Sequence, residues 1–364
     1  MLLKITALPG DGIGPEVTEE GLRVLQSVAD VFGHQVNVIR KDVGGAALVK
    51  SNDPFPKDTL HGCLASKAVL LGAVGGPAFD GYPTHLRPER GLLMLRQQLG
   101  VFANLRPAII FDSLEDGSPL KKEVVHGTDM LIVRELLGGI YFGEPRLIHG
   151  AVGQRSATDT MRYTEPEIER ITQVAFELAR ARRRKVTSVD KANVLDCSRL
   201  WRDVVNRIAK LYPDVQLSHM YVDSAAMALV SRPSSFDVLL TENMFGDILS
   251  DQAGAIVGSL GMLASASVGA PIALYEPVHG SAPDIAGTGT ANPIGSILSI
   301  AMMLRFSFKL EAEAKAVEVA VAGVLKGGHR TKDLAKAGDM ALSTSAMGGK
   351  IAEQIRDRGK NSIQ

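Results

Sequence analysis

The chain has 364 residues, 45% of them hydrophobic and 22% charged, the balance of an ordinary folded protein of one or two domains. Lys plus Arg and Asp plus Glu number 40 each, so the zero net charge excludes a protein built around a basic field for nucleic acid or an anionic membrane. No run nears the roughly 18 apolar residues of a membrane span. Cys63 and Cys197 stand far apart without a CxxC or Cys/His metal spacing, so a reducing, cytoplasmic setting is expected.

Along the chain, short apolar runs bounded by turn residues alternate with segments of helical period, the pattern of an α/β fold. LLKITALP opens as a strand, too short to be the apolar region of a signal peptide. GDGIG then turns the chain, and Pro15 suits the first turn of a helix whose apolar positions include Val17, Val24, Leu25, Val28 and Phe32. The turn imitates a dinucleotide-binding fingerprint but fails it. Gly10, Gly12 and Gly14 run GxGxG rather than GxGxxG, and the acid about 20 positions on, Asp30, falls inside the helix. A tight turn at the edge of a ligand cleft is expected there. QVNVIRKD and AVLLGAVGG read as the second and third strands, the latter continuous enough to be a buried parallel one. SNDPFPKDTL between them reads as irregular.

Further on, Arg96 follows a helix-period apolar set, Arg106 is held extended by Pro107, and Arg134 ends the strand-like LIVR shortly before Tyr141. Arginine grips carboxylates through a bidentate fork, so three arginines in apolar contexts point to a small polyanionic ligand. TEPEIERITQVAFELARARRRK starts with a capping box, Thr164 and Glu167, and has one apolar face. Its basic end, Arg180 to Lys185, reads as a solvated helix end favoured by the macrodipole rather than a nucleic-acid patch. KVTSVDK is a strand with Lys191 just after it, where a partly buried lysine can act as a base. MYVDSAAM puts Asp223 between a strand and a helix.

NMFGDILSDQAG sets Asp247 and Asp251 four apart on one helical face, where like charges cost roughly 0.2–0.5 kcal/mol. Either this is a solvated face with a tolerated mismatch, or the pair holds a cation. With Asp223 the two make three carboxylates, a hard-oxygen set for Mg²⁺ or Mn²⁺. The Gly-rich GSAPDIAGTGTANP is a long loop of the kind that usually carries function.

Taken together, LPGDGIGPE, ERGLLMLR, FANLRP, IVRELLGGIYFGEP, VDKANVL, YVDSAAM, NMFGDILSD and EPVHGSAPDIAGTGTANP resemble the isocitrate/isopropylmalate dehydrogenase family of β-decarboxylating dehydrogenases along nearly the whole chain. The resemblance implies a two-domain α/β fold with a mixed central sheet, not a Rossmann fold. Residues 1–101 and 258–364 would form the first, cofactor-side domain, and 102–257 the second, with the metal site and the dimer interface. Arg96, Arg106 and Arg134 would bind the two malate carboxylates. Lys191 would take the C2 hydroxyl proton as hydride leaves for the nicotinamide, and Tyr141 would help protonate the enol left by loss of CO₂. Asp223, Asp247 and Asp251 would hold Mg²⁺ or Mn²⁺ to stabilise the enolate, with Asp223 also among the substrate contacts. The family site spans two subunits, Lys191 and Asp223 coming from the neighbour, so a homodimer is implied. His279, Gly280, Ala282, Asp284, Ile285 and Asn292 would carry the cofactor, with Glu89 near the nicotinamide. Asp284 can accept from ribose hydroxyls and repels a 2′-phosphate, which favours NAD over NADP.

The family reads its substrate at positions matching Leu92, Leu93 and Val194, polar in isocitrate enzymes and apolar here. Such a trio fits the isopropyl group of 3-isopropylmalate. Three extra buried carbons contribute about 2.4 kcal/mol at about 0.8 per carbon, and an unpaired third carboxylate there costs several kcal/mol. The implied activity is NAD-dependent oxidative decarboxylation of 3-isopropylmalate to 4-methyl-2-oxopentanoate and CO₂ in leucine biosynthesis, with no nucleic-acid or membrane partner. D-malate or tartrate, homoisocitrate and isocitrate dehydrogenases share the core contacts. A metal-dependent lyase without a nicotinamide, or a non-catalytic regulatory subunit, is the alternative of another class. Ala264 stands where many relatives have proline, a departure expected to bear on loop stability.

Overall fold

The apolar run LLKITALPG forms strand β1 (Leu2–Gly10), burying Leu3, Ile5, Ala7 and Leu8. The computed structural model describes residues 1–336 and 338–361. Helix α1 (Gly14–Phe32) follows the glycine turn with proline in its first turn, and it buries Val17, Val24, Leu25 and Val28. Phe32, expected on that apolar face, is exposed because the helix ends there at left-handed Gly33. Strand β2 (Gln35–Arg40), helices α2 (Gly44–Ser51) and α3 (Lys57–Leu64), strand β3 (Ala68–Ala73) and helix α4 (Pro88–Leu99) come next. SNDPFPKDTL is therefore irregular only from Asn52 to Pro56, since its Ser51 ends α2. Its KDTL starts α3, where Asp58 in the first turn favours the helix dipole.

The middle of the chain supplies β4 (Ala103–Ile109), α5 (Lys122–Val125), β5 (Asp129–Glu135) and a hairpin of β6 (Leu147–His149) with β7 (Ser156–Thr158). Helix α6 (Glu165–Arg180), β8 (Lys185–Asp190), α7 (Asp196–Ala209), β9 (Gln216–Tyr221), α8 (Val222–Ser231), β10 (Val238–Thr241) and α9 (Asn243–Ile256) continue it. Strands β11 (Ala264–Val268) and β12 (Ala273–Pro277) and helices α10 (Ile294–Phe306), α11 (Glu311–Lys326) and α12 (Thr344–Asn361) complete the order.

Two compact units result. One takes Met1–Val101, Phe111–Pro119 and the stretch from Val257 onward; the other takes Phe102–Ile110 and Leu120–Ile256. The first is built on strands in the order β2-β1-β3-β12-β11, all parallel except β11 against β12. The second runs β4-β5-β10-β8-β9, all parallel except β4 against β5. Parallel strands need cover on both faces, which explains why every residue of β3 and of β10 is buried.

Ala264 is not in a loop. It opens β11, buried, and pairs with Pro277 across an antiparallel ladder. The capping box of α6 forms as its sequence spells it, Thr164 N–H donating to Glu167 Oε2 at 2.7 Å. The basic end of that helix is ion-paired rather than free: Arg180 with Asp214, and Arg182 with Asp129 and Asp237. No helix among the described residues is long and apolar enough to cross a membrane.

Candidate active site

Helix α9 carries Asp247 and Asp251 on successive turns. Arg106, extended in β4, reaches both, its Nη1 lying 3.2 Å from Asp247 Oδ1 and 3.4 Å from Asp251 Oδ1. Arg134, in β5 and only 2% exposed, donates from Nη1 to the same Asp247 oxygen. The Tyr141 hydroxyl donates to the other Asp247 oxygen at 3.0 Å. Two guanidinium groups and a phenol thus meet on one carboxylate. Burial and the adjacent Asp247 charge push the Tyr141 phenol above its ordinary value, so it stays protonated. Burial also raises the Asp251 carboxyl; Arg106 opposes that shift and Asp247 adds to it.

Residues that the sequence did not single out hold these groups. Arg106 donates from Nε to Asn104 Oδ1 at 2.8 Å and from Nη1 to Ser250 Oγ at 2.7 Å. Asn243, fully buried at the start of α9, accepts from Arg134 Nε at 2.9 Å and Nη2 at 2.7 Å. Its own amide donates to Leu136 O and Gly138 O. Glu242 just before it accepts from the Met244 and Phe245 N–H groups, satisfying orphan donors at the helix start. The one sequence-level signal was an acid and an amide at the head of a helix, where such caps are favoured.

Lys191, one residue past β8, donates from Nζ to Asp223 Oδ1 at 2.5 Å, in the first turn of α8. That bond holds the Asp223 carboxyl below its ordinary value. Buried Asp190 anchors the strand end through Arg202, at 2.9 and 2.8 Å. Val194 nearby in sequence is 61% exposed, hence no core residue. The second unit therefore groups Asp247 with Asp251 and Asp223 with Lys191. Among the described residues no three His, Cys, Asp or Glu side chains of this chain gather as one metal-holding group. The Asp247–Asp251 pair still suits a hard divalent ion: it offers carboxylate oxygens alone, and their like charge is what such an ion offsets.

In the first unit, α4 buries Gly91, Leu95 and Leu99 and leaves Leu92 and Leu93 half-buried. Arg96 is buried and pairs from Nη2 with Glu276 Oε1 of β12 at 2.8 Å. Glu89 is exposed, its carboxylate against Gly75, where a Cβ would come within 2.5 Å of Oε1.

The segment from His279 to Asn292 frames a cavity of about 590 Å³. His279, Gly280, Ala282, Ile285 and Asn292 line it together with Ile13, and Asp284 lies exposed between the lining residues. The His279 Nδ1–H donates to Gly280 O at 2.9 Å, so Nε2 is left as an acceptor, buried and without a partner among the described residues. Burial lowers the imidazole pKa and keeps it neutral. An orphaned acceptor on a cavity wall fits a ligand rich in N–H and O–H groups, as a dinucleotide is. Asn292 donates to Asp333 Oδ2 at 3.0 Å and accepts from Ile294 N–H, fixing the loop to the start of α10.

The glycine turn after β1 braces this loop. Ile13 N–H donates to Ser281 O at 2.8 Å, and Gly287 N–H donates to Glu16 Oε1 at 3.0 Å. At Gly12 (φ +58°) a Cβ would sit 2.0 Å from Ser281 O. The GxGxG spacing thus serves a close backbone approach within the protein.

The family model for isocitrate/isopropylmalate dehydrogenase matches residues 4–351. A 3-isopropylmalate dehydrogenase of Aquifex aeolicus is 54% identical over 352 residues, 97% of either chain. One from Geobacillus kaustophilus is 56% identical over 357 residues, covering 97% of this chain and 96% of its own. Among solved structures, an isocitrate dehydrogenase from Methylococcus capsulatus superposes with a TM-score of 0.86 at 38% identity, over 97% of this chain and 99% of that one.

Proposed function

The chain belongs to the isocitrate/isopropylmalate dehydrogenase family, and from that membership we infer that it oxidises and decarboxylates 3-isopropylmalate to 4-methyl-2-oxopentanoate and CO₂ in leucine biosynthesis. It is a β-decarboxylating dehydrogenase, with NAD as the cofactor and Mg²⁺ or Mn²⁺ as the metal. The observation that carries the reading is the meeting of Arg106, Arg134 and Tyr141 on Asp247.

Asp247 and Asp251, with Asp223 of the neighbouring subunit, would hold the metal, and the His279–Asn292 loop with Glu89 would hold NAD. When bound, NAD takes up the hydride and the ion stabilises negative charge developing on the substrate oxygens. The chain's own groups do the rest. Arg96, Arg106 and Arg134 bind the two carboxylates of the malate core through charge-assisted forks. Lys191 removes the C2 hydroxyl proton, directly or through water, as hydride leaves C2. The β-keto acid then loses CO₂, and Tyr141, kept neutral by burial and Asp247, supplies the proton that the remaining enol carbon needs.

Leu92, Leu93 and Val194 face the isopropyl group in this reading, and their exposure supports a binding role over a core role. Asp284 selects NAD against NADP by repelling a 2′-phosphate. The homodimer is supported by the exposed apolar side chains Ile148, Val152, Met227 and Ile248 of the second unit. The two free thiols accord with a cytoplasmic setting.

The test is NADH formation by the purified protein with 3-isopropylmalate, isocitrate or D-malate, with NAD or NADP, and with Mg²⁺ or excess chelator. Turnover confined to 3-isopropylmalate, NAD and metal is expected. Preference for isocitrate or NADP would overturn the roles of Leu92, Leu93, Val194 and Asp284 and leave the family intact.

A further inference from the structure

One acid in the glycine turn is not used by the chemistry. Asp11 lies between left-handed Gly10 (φ +70°) and Gly12 (φ +58°), and its carboxylate gathers backbone from segments far apart in sequence. Oδ2 accepts from Gly45 N–H at 2.8 Å and Gly75 N–H at 2.8 Å, and Oδ1 accepts from Ala46 N–H at 2.7 Å. Gly45 and Ala46 begin α2, and Gly75 follows β3. Three donors require an acceptor with several lone pairs on two atoms, which a carboxylate has and a carboxamide lacks. Burial raises the Asp11 carboxyl, the three amides pull it back down, and nearby Glu89 raises it.

The acid faces two ways. Gly75, in a positive-φ conformation (+102°), is the residue against which the Glu89 carboxylate rests. In the other direction, the two residues after Asp11 meet the cavity loop: Gly12 presses on Ser281 O, and Ile13 both donates to that oxygen and lines the cavity. We propose that Asp11 is a positioning residue for the cofactor, tying the Gly75 support of Glu89 and the turn that braces the His279–Asn292 loop to one carboxylate. Asp11 touches no cofactor atom in this scheme; it sets the spacing between the groups that would hold the nicotinamide and those that would hold the adenosine. The inference rests on the NAD reading of Glu89 and of that loop.

The experiment compares wild-type protein with Asp11→Asn and Gly75→Ala, measuring NADH dissociation by fluorescence and the steady-state constants with 3-isopropylmalate and Mg²⁺. Asp11→Asn keeps the size of the side chain but turns an NH₂ toward a backbone N–H. The expected result is a rise of about tenfold in KM for NAD and in the NADH dissociation constant, as for a lost bond to a charged acceptor. KM for 3-isopropylmalate should stay within about twofold. Gly75→Ala keeps the Asp11 side chain but strains the left-handed backbone whose N–H it accepts and displaces Glu89, so it should lower kcat, and on a Glu89→Gln background that effect should shrink. A wild-type protein that binds no NADH sinks the cofactor reading and this proposal with it. A wild type that binds, beside an Asp11→Asn variant with unchanged NAD constants or with both KM values raised alike, sinks the positioning role alone. If Asp11→Asn does not fold, Gly75→Ala with wild-type kinetics decides against it.

Discussion

Tyr141 illustrates how a single side chain's chemistry depends on its surroundings. An ordinary phenol is already a weak acid, and here burial and the Asp247 charge weaken it further. A group in that state holds its proton until a strongly basic carbon appears next to it. Tyr141→Phe is expected to cut turnover by about 10²–10⁴-fold, the usual worth of a positioned proton donor, with 3-isopropylmalate binding little changed. Rapid-quench sampling should find NADH and CO₂ formed in the first turnover ahead of the 2-oxo acid product, because the enol waits for its proton; unchanged turnover would remove Tyr141 from the chemistry. The charged members of this site were legible in the sequence because Arg106, Arg134, Lys191, Asp247 and Asp251 each interrupt an apolar or periodic pattern. Their supports were not. Asn243 matters through Arg134, 109 positions away, and Asp11 through Gly75, 64 positions away, and nothing local in either stretch announces such a partner.

At the scale of elements, periodicity and punctuation told most of the story. The 3.6-residue apolar pattern of α1, the continuous apolar run of β3 and the capping box of α6 are local properties, and each element formed where its sequence put it. How two elements meet is not local, as the packing of α1 on α12 demonstrates. Gly348 in α12 has no room for a methyl group, since a Cβ would lie 2.8 Å from Glu20 Cβ and 2.0 Å from Glu20 Oε2. Gly to Ala inside a helix ordinarily gains up to about 1 kcal/mol. Here the carboxylate oxygen can swing away but the Cβ cannot, so overpacking of about 1–3 kcal/mol wins. Gly348→Ala should lower the apparent melting temperature; a rise would show that α12 shifts freely.

Glu20 at the same contact carries a pH dependence. Burial raises its carboxyl, Arg23 at 3.3 Å opposes this from an exposed position, and Glu19 adds to the rise. Because the folded-state pKa lies above the unfolded one, the neutral acid's contribution to stability is complete below about 4.5 and is lost as pH climbs through the raised value. At neutral pH the charged form is a liability. Glu20→Gln should therefore raise the apparent melting temperature at pH 7 and leave it nearly unchanged at pH 4, as scanning calorimetry at the two pH values would read. Equal shifts at both would assign the effect to packing instead of charge.

For the whole molecule, sequence composition offered no boundary, because each unit is assembled from discontinuous segments and no linker marks the crossings. The homodimer was expected only through family resemblance, and the fold adds physical support for proposing it. Among the described residues, strands β6 and β7 pair only with each other, and all six of their residues are exposed, Ile148 at 75%. A lone two-stranded ribbon is marginal in water, so a second copy covering it would explain how it persists. Lys191 and Asp223 lie paired with each other, while Asp247 holds Arg106, Arg134 and Tyr141. If the base of each site comes from the neighbouring subunit, inactive variants must complement. Lys191→Ala and Tyr141→Phe, each nearly dead alone, should regain about a quarter of wild-type turnover when mixed, dissociated and reassociated. Random pairing makes half of the dimers mixed, and each mixed dimer rebuilds one of its two sites from one intact Tyr141 and the other chain's intact Lys191. No recovery, with mixed dimers verified by mass, would place Lys191 and Tyr141 in the same chain's site. Ile148→Glu should give the complementary result, weakening the dimer by burying a charge at the contact. Its turnover should then fall on dilution, in step with the dimer fraction seen by sedimentation.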